Sequence, residues 1–584
     1  MRIPRHLTRG RCWLAVATLG AAAALSDPAP PRSPDAAALT ILDLQPFRTQ
    51  ATLGVRRADG AVGSATLINL NPNVNAWFVL TLDWGASGTT ASYHLESARR
   101  DRPPTLVAGP PGSVLVEFGD QSAACQLPFA ADAGPARALE PAQRSGLPFA
   151  PLCGGRLYLR NATIGRSSTL EKVTDFLRDH VWGGEKIVTF VKQELYRDAF
   201  LEQGRPGSAP DDWAAPPFAP AAARVDPAKA DLAVAPPHLG LEVESPRAQL
   251  AVGRWYGLRG LEGAYFSVLM PEAIERSVLV GHEPSVNPLS GTEATALAYL
   301  VAFDLASFDL HFTLGTDHPR LGWSPRPPPQ SRDPLLPGPD GIDSAVPLVN
   351  TGMVPPTDTA RTVAAFAGGF KREHGAFRFG PLAERNHGSH YGFVEQGVVF
   401  SKLQPGLATV YATVAGEVDM TTWTVADAAR MAGIRDARQN GVPLVESDAR
   451  RGLAVPGPLV NLWGEGNWSG SANEDLRTVR AGLCLLEGGA RRYLVFAYFS
   501  SASPSAMARV FQAYRCRYAM HLDMNALEHT YFALYVSQGG QRTVEHLIDG
   551  MDVLDRHSGE QLAPRFLGFP DNRDFFYITR RPPP

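Results

Sequence analysis

The chain has 584 residues, of which 44% are hydrophobic and 9% aromatic, and its formal net charge at pH 7 is −3. This composition provides enough apolar side chains for real cores, and the length suggests two to four domains. The nearly balanced charge gives no reason to expect a nucleic acid or an anionic membrane as a partner. Strongly basic binding proteins are therefore excluded as a class.

The N-terminus has the pattern of a secretory signal peptide over residues 1–26. A basic stretch precedes a short apolar segment, Cys12–Leu25, and Ala24-Leu25-Ser26 has the small residues of a cleavage site. The apolar segment is too short to cross a bilayer comfortably, and an uncleaved N-terminal anchor is the alternative. No later segment has the length and hydropathy of a membrane helix. We therefore expect a secreted or periplasmic protein with no membrane span in the mature chain.

Four cysteines remain after the predicted cleavage, namely Cys125, Cys153, Cys484 and Cys516. An even number in an exported chain permits two disulfides, and proximity in the sequence favours Cys125–Cys153 and Cys484–Cys516. None of the four has the spacing of a zinc ligand. The chain is also rich in Ala, Arg and Pro, which is typical of a high-GC bacterium.

Four regions are predicted after the signal peptide. Residues 38–165 contain short runs punctuated by Gly, Pro, Asn and Asp, which predicts a β-rich accessory domain. Residues 166–203 have helical periodicity, with a capping-box pattern at Ser168–Glu171. Residues 204–237 are rich in Pro and Ala and are interpreted as a linker. Residues 238–580 then form the larger domain.

Short apolar or alternating runs predict strands in both β-containing regions. In the accessory domain they are Thr66–Leu70, Ala76–Leu82, Ser92–Leu95 and Val114–Phe118. In the larger domain they are Ala298–Phe303, Phe308–Phe312, Thr362–Phe366, Val398–Phe400, Val410–Val414, Ala481–Leu486 and Tyr493–Phe499. Apolar residues at helical spacing over Ser505–Tyr514 lead into a further strand, so an α/β unit is predicted there.

That further strand belongs to the most informative stretch of the chain, Ala519–Tyr531. Apolar residues alternate there with polar ones: Met520, Leu522 and Met524 with His521, Asp523 and Asn525. Because successive side chains of a strand point to opposite faces, the polar set lines one face. That face is either exposed to solvent or the floor of a site, and Glu528 and His529 follow it where the strand runs into a loop.

Four short motifs succeed one another in the second half: AFDL at Ala302–Leu305, VAAFAGGFK at Val363–Lys371, RTVRAG at Arg477–Gly482 and LDMNALE at Leu522–Glu528. Their order and strand–helix–strand context resemble the phosphodiester glycosidase domains. The corresponding family motifs are a V-D-L-like step, A-A-[IV]-N-G-G-F-F, R-T-A-x-G and L-D-G-G-G-S-S. Bacterial members are often described as exopolysaccharide-related. The resemblance covers roughly Thr295–Ser537.

The resemblance implies a mixed α/β or α+β fold and an exported hydrolase of a glycosyl phosphodiester or a related cell-surface glycan. Glycoside cleavage commonly uses two carboxylates, and a guanidinium binds phosphodiester oxygens through paired donors. The implied catalytic residues are Asp523, which matches the family's aspartate, with His521 and Glu528; Glu446 is a second candidate for the partner carboxylate. The implied substrate-binding residues are Arg477, which matches the family's arginine, with Gly368, Gly369, Lys371 and Asn525.

The chain departs from the family pattern at Ala367, Lys371 and Met524–Ala526, the last in place of a glycine run. A glycine run permits positive φ and a close approach of the backbone to a ligand. We therefore expect a more ordinary backbone after Asp523, with side chains in that space. These departures favour an alternative function, a non-catalytic envelope protein that binds glycans.

A metal-dependent hydrolase is the third possibility. His387 and His390 are three residues apart, near Glu384, and His521, Asp523 and His529 could complete a site. The spacing matches no strong metal signature, so no cofactor is predicted. A carbohydrate or sugar phosphate is the expected partner of the leading function.

Overall fold

The structure is a computed structural model. It describes residues 40–57, 59–85, 88, 90–119, 124–128, 139–168, 172, 198–209, 214–282, 284–317, 344–370, 391–448, 454–462, 476–558 and 561–582. Strands are the main regular structure of the described residues; their pairs are antiparallel, and they form seven sheets.

The first region forms a six-stranded and a three-stranded sheet, with strand orders β1-β2-β3-β4-β9-β8 and β5-β6-β7. Its elements are β1 Thr49–Arg56, β2 Val62–Asn69, β3 Trp77–Asp83, β4 Ala91–Ser97, β5 Thr105–Ala108, β6 Ser113–Glu117, β7 Cys125–Pro128, α1 Glu140–Arg144, β8 Phe149–Leu152, a 3-10 turn at Cys153–Gly155, and β9 Leu157–Arg160.

The second region contains the remaining strands and four further α-helices of the described chain. In chain order they are β10 Arg205–Ser208, β11 Leu232–Ala235, β12 Val243–Glu244, β13 Leu250–Ala251, β14 Trp255–Leu258, β15 Ala264–Leu269, α2 Arg276–Leu279, α3 Gly291–Thr295, β16 Ala298–Asp304, β17 Phe308–Thr313, α4 Pro356–Thr359, β18 Thr362–Ala367, β19 Phe393–Glu395, β20 Val398–Ser401, β21 Ala408–Thr413, β22 Val418–Thr422, β23 Ile434–Gln439, β24 Val445–Ser447, β25 Ala454–Pro456, β26 Thr478–Gly488, β27 Arg491–Ala502, α5 Pro504–Ala513, β28 Tyr518–Met524, β29 Phe532–Gln538, β30 Gln541–His546, β31 Arg556–Ser558, β32 Gln561–Ala563 and β33 Phe575–Arg580. Short 3-10 helices lie at Pro227–Lys229, Pro271–Ala273, Val425–Gly433, Val460–Leu462 and Asp552–Leu554.

A nine-stranded sheet, ordered β12-β14-β15-β16-β27-β26-β28-β24-β25, is the centre of the second region. β27 and β28 both pair antiparallel with β26, so they run parallel to each other, and α5 joins them. The helix begins where it does because the Ser503 hydroxyl accepts from the Ala506 N–H and Pro504 occupies the first turn. All ten residues of α5 are buried, which fixes the position of β28 against the sheet.

Two five-stranded sheets lie beside the central one, ordered β17-β33-β18-β29-β30 and β20-β19-β23-β21-β22. One hydrophobic core contains residues of all three sheets, including Phe366, Phe496 and Phe532, whose ring centroids are 4.9–6.1 Å apart. Close aromatic packing of this kind stabilises a core beyond the area it buries. The sheets are therefore held together as one body.

Strand β3 connects the two regions because both of its faces are buried. Phe78 and Leu80 point into a core that belongs to the first region, whereas Trp77 and Val79 point into the core of the second. Alternation of side chains across a strand divides a continuous apolar run in this way. The first region is thus a layer packed on the second.

The structure confirms the strands and the helix predicted from the apolar runs, and it contains both predicted disulfides, Cys125–Cys153 and Cys484–Cys516. The mixed α/β expectation holds only for the β27–α5–β28 unit. Elsewhere the described fold is β-rich because its paired strands are antiparallel and are joined mainly by turns.

Two of the predicted regions, the linker and the helical segment, need comment. The stretch interpreted as a linker, 204–237, includes strands β10 and β11. Most of the predicted helical segment, 166–203, lies outside the described residues. None of the helices in the described part of the chain combines the length and the apolar character that crossing a bilayer requires.

Candidate functional site

Strand β28 buries both of its faces. Met520, Leu522 and His521 are fully buried, and Asp523 is 5% exposed. The apolar side chains belong to the main core, whereas the polar ones contact charged side chains from other strands. Burial of an ionisable group is unfavourable unless it has partners. The polar face of β28 is therefore enclosed and paired, and it is not exposed to solvent.

Asp523 forms an ion pair with Arg573. Arg573 Nη1 lies 2.7 Å from Asp523 Oδ2, and the two side chains are 5% and 7% exposed. The Met524 backbone N–H donates to the other carboxylate oxygen, Oδ1, at 2.8 Å. Arg573 comes from the turn before β33, which is in a different sheet from β28. Both oxygens of Asp523 have donors, so its carboxylate is fixed in one orientation.

Glu528 lies in the loop after β28 and interacts with the same arginine as Asp523. Its Oε1 is 3.2 Å from His529 Nε2. Burial alone raises the pKa of this carboxyl, but His529, Arg573 and Ser168 together lower it to about 2. Glu528 is therefore ionised at neutral pH, and its carboxylate is stabilised chiefly by His529 and further by the charge of Arg573.

His521 is a neutral hydrogen-bonding group in this site. Its Nδ1 donates to the Leu522 carbonyl at 3.0 Å, and its Nε2 accepts from Arg480 Nη1 at 3.1 Å. Burial and the charge of Arg480 hold the pKa of His521 well below its usual range. Its ring also stacks on Phe370, with centroids 4.9 Å apart. A neutral imidazole that is fixed by these contacts holds Arg480 and Phe370 in position against β28.

Arg480 reaches β28 through the register of the central sheet, in which it is paired with Met524. Besides the bond to His521, its guanidinium donates to the carbonyls of Leu476 and Ala502 at 2.7 and 2.6 Å. Burial lowers the pKa of Arg480 to about 9. The sheet thus holds a guanidinium rigidly beside the polar face of β28.

Arg477, the arginine expected from the motif, lies elsewhere. It precedes β26, and it contacts Ser290 Oγ at 3.3 Å and Asp198 Oδ2 at 3.4 Å. The arginine beside β28 is therefore Arg480, three residues further along the chain. Arg477 lies with a different set of partners.

A second buried ion pair lies next to the first. Arg438 Nε, in β23, is 2.6 Å from Asp574 Oδ2, just before β33, and neither side chain is exposed. Arg438 also donates to Asn440 Oδ1 at 2.9 Å and to the Phe370 carbonyl at 2.7 Å. Asn440 Nδ2 in turn donates to two carbonyls of β28 at 2.7 and 2.6 Å. Strands from three sheets thus meet at this point.

Gly368 and Gly369 follow β18 and pack against this second pair. The Gly368 N–H donates to the Asp574 carbonyl at 2.9 Å. Gly369 has a φ of 145°, and a Cβ there would lie 2.8 Å from Arg438 Nη1. Glycine is needed at this position because any side chain would displace the guanidinium. The Gly368 amide is engaged within the chain, and an anion-binding role for the pair stays a prediction.

Asn525 adopts a backbone conformation that glycine usually supplies. Its φ is 80°, and its N–H donates to the Val479 carbonyl at 2.9 Å. The expectation of an ordinary backbone after Asp523 is therefore wrong at this residue. Asparagine enters the left-handed region more readily than other non-glycine residues, so the turn survives without a glycine run.

In the described part of the chain, no cluster of three or more His, Cys, Asp or Glu side chains is placed to hold a metal ion. Glu384, His387 and His390 lie outside the described residues, as does Lys371. Glu446, the other candidate carboxylate, contacts Thr422 and lies in β24.

We call five of these side chains the arginine–carboxylate cluster: Asp523, Glu528, Arg573, Arg438 and Asp574. Three of the five escaped the sequence analysis, although Pro570–Asp574 reads PDNRD directly before the apolar run of β33. Adjacent charges at the start of a fully buried strand indicate paired, enclosed groups. That signal could have identified Arg573 and Asp574.

Comparison with known proteins assigns no family. No family model matches the chain, and no curated protein matches it. A solved structure described as a hypothetical protein from Synechocystis is 11% identical, with a TM-score of 0.26, over 86% of this chain and 97% of that one. A TM-score this low assigns neither a fold nor a function.

Proposed function

We propose that this protein is an exported hydrolase of a glycosyl phosphodiester or a related cell-surface glycan, acting at the arginine–carboxylate cluster. The observation that carries the proposal is the ion pair of Asp523 with Arg573, at 2.7 Å, with a second buried carboxylate, Glu528, five residues further along the chain and under the charge of the same guanidinium. Two carboxylates beside the scissile bond are the usual equipment for glycoside cleavage. Guanidinium groups supply the paired donors that bind phosphate oxygens.

In the proposed reaction the anomeric C–O bond to the phosphate breaks while Asp523 accepts a proton from the attacking water, or while Asp523 itself attacks the anomeric carbon to form a glycosyl ester that water then hydrolyses. Glu528, with a pKa of about 2, carries a negative charge that stabilises the developing positive charge on the sugar ring. The phosphate monoester leaves with the electron pair of the broken C–O bond as a stable anion and needs little protonation, which suits a site whose second carboxylate is ionised. Arg573 takes the phosphate charge, and His521, through Arg480, keeps β28 in place.

Export is supported by the two disulfides, because such bonds persist in oxidising compartments. The signal-peptide pattern and the motif resemblance of the second half also favour an exported protein. The phosphodiester glycosidase-like character of the second region is part of this proposal.

A non-catalytic glycan-binding protein is the second candidate, and one contact favours it. Met524 Sδ lies 2.8 Å from Arg480 Nη1, so a side chain occupies space that a glycine run would leave to the ligand. In this case the cluster binds the glycan without cleaving it.

The test is hydrolysis of a panel of α- and β-linked 1-phosphodiesters of glucose, mannose and N-acetylglucosamine by the wild type and by Asp523→Asn. We expect the substitution to lower kcat/KM by about 10²–10⁴-fold. Asp358→Asn is the matched control, because Asp358 is also buried and paired with an arginine, Arg361, outside the cluster. It should retain activity.

Of two contrary results, the first would refute the role of Asp523 and the second would refute the hydrolase itself. If wild type and Asp523→Asn cleave at equal rates, Asp523 is not catalytic. If no phosphodiester is cleaved but the wild type binds one and Asp523→Asn does not, the non-catalytic candidate is correct.

A further inference from the structure

A second cleft, of about 770 Å³, opens at the far end of the central sheet from the arginine–carboxylate cluster. It is lined by the segment Pro216–Phe218, the turn Gly260–Tyr265, and side chains that include Glu244, Arg491 and Arg580. Its volume is within the range of about 300–1,000 Å³ that is typical of ligand sites. β33 runs between the two sites for six residues, about 20 Å. The cleft is therefore separate from the site described above.

Phe218 lies in this cleft with an exposed side chain and an unfavourable backbone conformation. Its side chain is 65% exposed, and its φ is 58°, in the left-handed region that a bulky residue rarely enters. Tyr493 donates its hydroxyl to the Phe218 carbonyl at 2.6 Å, and Tyr265 donates to the Pro217 carbonyl at 2.9 Å. Two tyrosines thus hold a strained backbone that keeps an apolar ring in solvent. Strain retained at an exposed residue is a mark of a binding role.

The charges around the ring indicate what kind of ligand fits. The Arg491 guanidinium lies 4.0 Å from the Phe218 ring centroid and is paired with the buried carboxylate of Asp304. Glu244 and Glu262 face the cleft against one further cation, Arg580. Two carboxylates are therefore set against the charge of Arg580, since the charge of Arg491 is neutralised by Asp304. A cleft with this balance of charge does not attract an anionic polymer.

We infer that this cleft binds a segment of a neutral polysaccharide. The C–H face of a sugar ring carries partial positive charge and stacks on the negative face of an aromatic ring such as Phe218. Glutamate carboxylates accept hydrogen bonds from sugar hydroxyls, and Arg580 donates to them. Because the cleft is open to solvent, a bound chain can extend beyond it. The inference goes beyond the proposed function, because it holds whether or not the arginine–carboxylate cluster cleaves its ligand.

The experiment is native affinity electrophoresis in gels that contain hydroxyethylcellulose, dextran, galactomannan or, as the acidic comparison, polygalacturonate. We expect retardation of the wild type by at least one neutral polymer and none by polygalacturonate. Phe218→Ala should bind about three- to tenfold more weakly, the range that one aromatic stacking contact supplies. The tyrosine bonds go to backbone carbonyls, so this variant keeps them.

Three further variants test whether the retardation arises in this cleft. Phe218→Trp should retain retardation, since it keeps an aromatic face. Ile164→Ala, at a side chain that is 96% exposed, should migrate like the wild type and controls for loss of an exposed apolar group. Asp523→Asn should also be retarded, because the cleft lies apart from the cluster. The inference is overturned if no neutral polymer retards the wild type, if Phe218→Ala is retarded equally, or if retardation is lost in Asp523→Asn that tryptophan fluorescence shows to be folded.

Discussion

Arg573→Met should strongly destabilise the protein, because it removes the cation that is paired with Asp523. The Asp523 pair is 2.7 Å long, and neither side chain is more than 7% exposed. Loss of one partner leaves an uncompensated buried charge, which costs about 3–5 kcal/mol. The assay is urea unfolding at pH 7, followed by tryptophan fluorescence, with the free energy of unfolding extrapolated to water.

Two further variants make this result specific to the buried pair. Arg573→Met combined with Asp523→Asn should be more stable than the sum of the single changes by about 1–3 kcal/mol, because the stranded charge is gone. Arg48→Met removes an exposed pair whose side chains are 33% and 38% exposed, and it should change stability by less than about 1 kcal/mol. A loss of under 1 kcal/mol for Arg573→Met, or strict additivity in the double variant, would refute the reasoning.

Two other predictions concern acid sensitivity and the second disulfide. Glu528 has a native pKa of about 2 against an ordinary value of 4.5, so it contributes about 3 kcal/mol above pH 4.5, and this is lost as the pH falls towards 2. Glu528→Gln lacks this contribution, so its stability should fall less steeply than that of the wild type between pH 4.5 and 2, and a curve parallel to the wild type there would contradict the assignment. Replacing Cys484 and Cys516 by Ser opens a loop of sequence separation 32 and should cost roughly 3–4 kcal/mol by urea unfolding. An unchanged midpoint would show that the bond does not constrain the unfolded chain.

The strands of this fold were predictable because each depends on local patterning. The runs at Ala298–Phe303 and Tyr493–Phe499 are buried strands β16 and β27, as their apolar continuity indicates. The polar face of β28 was visible in the same way. Its burial was not, because the partners of His521 and Asp523 are 41 and 50 residues away in sequence. Local periodicity carries no information on contacts of that range.

The positions of Arg477 and Arg480 show that strand register decides which arginine of a motif lies beside β28. Both arginines lie in the same six-residue motif, and the motif alone favours the first. Strand β26 begins at Thr478, and its pairing sets Arg480 opposite Met524. A shift of one residue in a strand reverses the face of every side chain, so a motif match cannot decide which arginine points inward. Only the pairing of β26 with β28 does so.

The position of the cluster also explains why the first region matters to it. The sequence of β3, WFVLTLD, is apolar on both faces over most of its length. A strand of an antiparallel sheet with one solvated face would alternate, so a continuous run indicates a layer on each side. Arg160, in strand β9 of the same sheet, is paired with buried Glu96, and its guanidinium lies 4.2 Å from the Trp77 ring centroid. The layer on the other face of β3 is the second region, whose sheets meet at the cluster. Packing of the first region against it therefore contributes to the rigidity of those sheets.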